Sequence, residues 1–131
     1  MYFQSMIVDL YKHPVKILLI GAMLLVLACE ELLLEDDISD DKVEVLAPSN
    51  NTTLSATSVV FTWEPLEFAD AYHLQVATPN FQAAVQVVED TLIGQTNFAK
   101  TLVPANYQWR VKALNSAYET AYTTQSFTVE D

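Results

Sequence analysis

From Lys42 onward the chain alternates apolar and polar residues in short runs, each ended by turn formers. "VEVL" (43–46) stops at Pro48, Ser49, Asn50 and Asn51; "SVVFTW" (58–63) stops at "EPLEFAD"; "AYHLQVA" (71–77) stops at Pro79 and Asn80. "VQVVE" (85–89), "NFAKTL" (97–102), "NYQWRVKAL" (106–114) and "AYTTQSFTV" (121–129) follow. β-Branched and aromatic residues dominate, and no stretch repeats with helical spacing. Seven short strands at such intervals predict an all-β, two-sheet antiparallel sandwich.

Side chains alternate across a strand, so the same runs assign faces. Val59, Phe61 and Trp63 point one way, as do Tyr72, Leu74 and Val76. Tyr107, Trp109, Val111 and Ala113 form the inward set of the sixth run, with Gln108, Arg110 and Lys112 outside. Both tryptophans are therefore expected in the core, where truncating either costs about 3–5 kcal/mol.

These residues carry a resemblance. "FTWEP", "AYHLQVA", Leu102 and "YQWRVKALN" resemble a fibronectin type III (immunoglobulin-like) domain over residues 43–131. That family places a tryptophan on its second strand, a tyrosine on its third and Tyr-x-x-x-Val-x-Ala-x-Asn on its sixth, met here by Tyr107, Val111, Ala113 and Asn115. The resemblance implies that the Tyr107 hydroxyl bonds a nearby backbone group. "QVVEDTLIGQT" departs from the pattern and leaves the fourth strand's pairing open.

The region before Lys42 has a different character. "YFQS" at 2–5 resembles a tobacco-etch-virus protease scar, so residues 1–5 are read as a tag remnant. Lys12 and Lys16 then precede twelve uncharged residues (17–28), short of the roughly 20 that a spanning helix needs. A basic front, a short apolar core and a small residue describe a secretory signal, here an N-terminal signal helix within 6–28. "VLAC" (26–29) resembles a bacterial lipobox. The resemblance implies cleavage before Cys29 and acylation there, with several acyl chains each contributing about 0.8 kcal/mol per buried methylene. The alternative is an uncleaved anchor helix with an inert Cys29.

Charge changes the picture next. The chain carries 17 acids against 6 bases, a net of −11. Seven of those acids fall between Glu30 and Lys42, a block that self-repels, so 29–42 is expected to be a lipidated cysteine followed by an extended acidic tether. "CEELLLEDD" is similar to the export address of surface lipoproteins in Bacteroides-like and Flavobacterium-like bacteria. That likeness implies a lipid-anchored place on the outer membrane, facing out. So acidic a chain repels phosphate backbones, which excludes nucleic-acid partners. One cysteine excludes an internal disulfide and multi-cysteine metal sites, and two isolated glycines exclude a phosphate cradle.

Little suggests catalysis. His73 is expected on the outer face, solvated, with no orienting acid marked by the sequence. Glu64 with Glu67, and Glu89 with Asp90, are paired carboxylates without a cleft. The expectation is no enzyme, no metal and no cofactor beyond the covalent lipid on Cys29. Candidate binding residues are loop aromatics, Tyr118 and Tyr122 in "NSAYETAY" and Phe68 in "EPLEFAD". Asp90-Thr91-Leu92 resembles a short O-glycosylation motif of Bacteroides-type exported proteins, which makes Thr91 a candidate acceptor. These features suggest an accessory binding module whose partner is a protein of a larger outer-membrane complex such as a nutrient importer. A spacer or assembly subunit facing the periplasm is the runner-up, and a glycan-binding accessory is the third reading.

Overall fold

The computed structural model of the protein describes residues 34–131. The tag remnant, the signal helix and Cys29 lie outside the described residues. Among the described residues no helix is long and apolar enough to cross a membrane.

Two sheets face each other across one apolar core. The smaller contains β1 (Val45–Ala47), β3 (Ser58–Trp63) and β6 (Asn97–Thr101), in the order β1-β3-β6. The larger contains β2 (Thr52–Leu54), β4 (Ala71–Thr78), β5 (Gln86–Ile93), β7 (Ala105–Leu114) and β8 (Thr123–Val129), in the order β2-β8-β7-β4-β5. Among the described residues there are thus eight strands where seven were expected. The additional one, β2, runs parallel to β8, so the sandwich is not wholly antiparallel. Three residues with a single aliphatic side chain are too few for alternation to register. What makes β2 is local chemistry: Asn51 takes a left-handed φ of 60°, which asparagine tolerates, and its N–H donates to Ser126 O at 2.7 Å. The Asn50 side chain accepts from the Ser126 N–H at 2.9 Å.

The ambiguous fourth run resolves as β5, which extends past the expected 85–89 and pairs antiparallel with β4 from Ile93 back to Gln86. The register slips between Val76 and Ala77. That irregularity, invisible to a period-two count, is why the pairing was unreadable. Glu89 of β5 meets Lys100 of β6 at 3.0 Å, tying the two sheets together on this side.

The face assignments hold. Val59, Phe61, Trp63, Tyr72, Leu74, Val76, Tyr107, Trp109, Val111 and Ala113 are all buried. Phe61 lies edge-on to Trp109 at 5.2 Å and Trp63 edge-on to Tyr72 at 5.6 Å, the offset geometry that ring quadrupoles favour. The indole N–H of Trp109 donates to Pro48 O at 3.1 Å, pinning the β1–β2 link, whereas that of Trp63 has no acceptor among the described residues. The Tyr107 hydroxyl donates to Val103 O at 2.7 Å, the corner that the resemblance implied.

The expected tether needs correcting where it is described. Ile38 is 0% exposed and joins the core, as does Val43, so 35–42 packs on the sandwich instead of extending from it. Asp37 closes a tight turn by accepting from the N–H and hydroxyl of Ser39, and the Asp41 N–H donates to Ile38 O. Charge counting missed this because one isoleucine among acids sets the packing, while the acids around it stay in water.

Candidate functional site

Alternation places His73 and Gln75 of β4, and Arg110 and Lys112 of β7, on the outer face of the large sheet. Register brings them side by side: His73 opposes Lys112, Gln75 opposes Arg110, and on the other flank Gln75 opposes Asp90 of β5. The β4–β5 connection adds Phe81, and the β7–β8 connection adds Tyr122.

The side chains close a ring. His73 Nε2 lies 2.5 Å from Asp90 Oδ1, and His73 Nδ1 lies 2.6 Å from the Tyr122 hydroxyl. Gln75 donates to Asp90 Oδ2 at 2.9 Å and accepts from Arg110 Nε at 2.8 Å. The Arg110 guanidinium lies 4.0 Å from the centroid of the Phe81 ring and 4.3 Å from that of Tyr122. Lys112 lies 4.9 Å from the Tyr122 centroid and pairs with Glu119 at 2.8 Å. Cations over aromatic faces are attracted by the ring quadrupole, and a planar guanidinium stacks especially well.

Electrostatics fix the tautomer. The Asp90 carboxyl is held below its ordinary value, by the His73 hydrogen bond first and the Gln75 bond second. A carboxylate only accepts, so Nε2–H of His73 donates to it. In neutral His73, Nδ1 then accepts from the Tyr122 hydroxyl. Both ring nitrogens are thus committed within the network, which leaves an oriented imidazole with no lone pair aimed at a substrate. The arrangement can bind and can respond to protons; it has no nucleophile or oxyanion donors set around a reacting atom. Among the described residues no three acidic, histidine or cysteine side chains are grouped to hold a metal.

The residues expected from sequence separate into three places. Tyr122 belongs to the outer-face ring. Phe68 and Tyr118 sit together at one end of the sandwich, 53% and 39% exposed, where Asn115 ties their loops. Asn115 Nδ2 donates to Phe68 O at 3.2 Å and to Asp36 O at 2.8 Å, and its Oδ1 accepts from the Tyr118 N–H at 2.8 Å. Phe68 holds a positive φ of 63°, a conformation that a bulky residue rarely adopts. Thr91 lies within β5 opposite Leu74, half-buried, and not in a turn. Cys29 lies outside the described residues.

His73 is on the outer face as expected, but it is partnered, with a side chain only 25% exposed. Asp90 and Phe81 were not singled out together with it. The β4–β5 register would have revealed Asp90; Phe81 follows a turn, and only the fold shows that its ring reaches Arg110.

No protein-family model matches the sequence, and no curated protein matches it either. Solved structures do resemble it. The fn3 domain of human collagen alpha-1(XX) chain is 16% identical, with a TM-score of 0.51 over 71% of this chain and 90% of that one. A Fn3-like protein from Clostridium thermocellum is 17% identical, with a TM-score of 0.46 over 69% of this chain and 90% of that one. With the two-sheet topology above, the first likeness shows the fold: an all-β sandwich of the fibronectin type III kind.

Proposed function

We propose that this protein is a non-enzymatic, lipid-anchored binding module, an accessory subunit that docks a protein of a larger outer-membrane complex, such as a nutrient importer, on the cell surface. One observation carries the docking reading. Arg110 is clamped between Phe81 and Tyr122 on a half-exposed sheet face, and its Nε is held by Gln75. A guanidinium braced by two aromatic rings has lost most of its rotamer freedom before binding, and arginine and tyrosine are the residues that dominate protein–protein contacts.

Anchoring is supported by the lipobox-like "VLAC" and by the acids after it. Glu35, where the folded unit begins, is six residues on from Cys29, no more than about 20 Å of fully extended chain. Acyl chains on Cys29 would therefore hold the sandwich close to the bilayer.

Two experiments on the native host test the proposal. Cys29→Ser should release the protein from the membrane fraction; unchanged retention there contradicts anchoring. Arg110→Ala should weaken co-purification with a single large membrane partner by tenfold or more, without changing the anchoring. Recovery of free protein from the wild type favours the runner-up, a periplasm-facing spacer, which the internal satisfaction of the ring would also suit.

A further inference from the structure

We propose that the groove at the Asn106 end of the large sheet binds a neutral, hydroxyl-rich ligand, namely a carbohydrate. The groove encloses about 470 Å³ and is lined chiefly by Asn51, Asn80, Gln82, Asn106, Gln108 and Ser126, with no charged side chain. Its volume is within the range of small-molecule sites, about 300–1,000 Å³. It lies at the opposite end of β7 from Asn115, next to the outer-face ring, which it meets at Phe81.

The orientation of the carboxamides selects the ligand. Asn80 Oδ1 accepts from the Ala83 N–H at 2.8 Å, Asn106 Oδ1 from the Thr128 hydroxyl at 2.9 Å, and Gln108 Oε1 from the Phe81 N–H at 3.0 Å. The N–H groups of Ala83 and Phe81 can only donate, which settles the flips of Asn80 and Gln108, whereas the Thr128 hydroxyl can donate or accept and leaves Asn106 able to present either end of its amide. Gln108 Nε2 reaches Ser126 Oγ at a long 3.4 Å. Two oriented amide donors, Asn80 and Gln108, and an Asn106 that can donate or accept therefore line the groove. An anion would find no cation in the lining and a net charge of −11 around it, while a cation would find no carboxylate. An apolar ligand would strand the amides. Hydroxyl and ring oxygens of a neutral sugar satisfy them without bringing charge.

Side-chain amide NMR of the full chain in detergent tests the proposal, with maltopentaose, cellopentaose and xylopentaose as probes and trialanine amide as the peptide control. At least one sugar should move the NH₂ signals of Asn80, Asn106 and Gln108 saturably. Asn80→Ala with Asn106→Ala should weaken that binding tenfold or more while distant backbone signals stay in place. If the double variant loses its native spectrum, Gln82→Ala, an exposed site, should weaken binding about threefold. The proposal is overturned if no sugar moves these signals, if trialanine amide moves them equally, or if the variants bind as the wild type does. Neither an acyl chain nor a protein partner enters the measurement, so its outcome is independent of the anchoring and docking tests.

Discussion

The inner and outer faces of β4 and β7 are built from alternate residues of the same two strands, yet they do different work. Inward, Tyr72, Leu74, Val76, Tyr107, Trp109, Val111 and Ala113 are buried and held by packing. Outward, His73, Gln75, Arg110 and Lys112 stay partly exposed and are held by a network that links four elements. Burial of apolar area is the main source of stability, whereas exposed polar contacts contribute little because water competes for every partner. An outer face this ordered is the surface that the proposed docking role would use.

Substitutions on the two faces should separate these roles. Trp109→Ala should have the largest effect, a loss of about 3–5 kcal/mol in urea unfolding from the cavity it leaves. Trp109→Phe should also cost more than Trp63→Phe, by about 1 kcal/mol, because only Trp109 gives up an indole hydrogen bond. Ile38→Ala should cost about 2–4 kcal/mol, an effect that a free tether would not show. Arg110→Ala belongs to the other face and should change stability by under about 1 kcal/mol while reducing partner retention tenfold or more. A stability loss as large as that of Trp109→Ala would erase the distinction between the faces.

A smaller effect on this face is a pH dependence at Asp90. Its carboxyl is depressed from an ordinary value of 3.8 by His73 and then Gln75. A depressed carboxylate stabilises the fold above its unfolded pKa, and that contribution disappears as the pH falls through the lower folded value. Asp90→Asn should accordingly be less stable than the wild type near neutrality, with the gap in urea midpoint closing below about pH 4. A gap that widened on acidification would contradict the pairing.

The inner face was legible in the sequence because period-two alternation reports burial directly. Val59, Phe61 and Trp63 needed nothing else, and the Tyr107 corner followed from its motif. The outer ring was only half legible. Alternation put His73, Arg110 and Lys112 outside, but their partners come from β5 and two loops, and pairing across a register shift leaves no periodic trace. Ile38 was hidden for a related reason: one buried side chain among seven acids does not alter a composition. Asn115, read as the end of a family motif, acts as the knot joining 35–42, the Phe68 loop and the Tyr118 loop.

Phe68 offers a side test at that end. Its φ of 63° strains a residue with a Cβ, and its ring is largely in water. Phe68→Gly should leave stability unchanged or raise it by up to about 1 kcal/mol, since relief of strain offsets the entropy that glycine adds to the unfolded chain.

Site-specific photo-crosslinking in intact cells of the native host tests the docking claim most directly. A crosslinker at Thr124, exposed beside Arg110 on the outer face of the large sheet, is compared with one at Val60, exposed on the small sheet. The account predicts an adduct to one large membrane protein from Thr124 only, lost when Arg110 is alanine. Equal adducts from both positions, or none from Thr124, would contradict it.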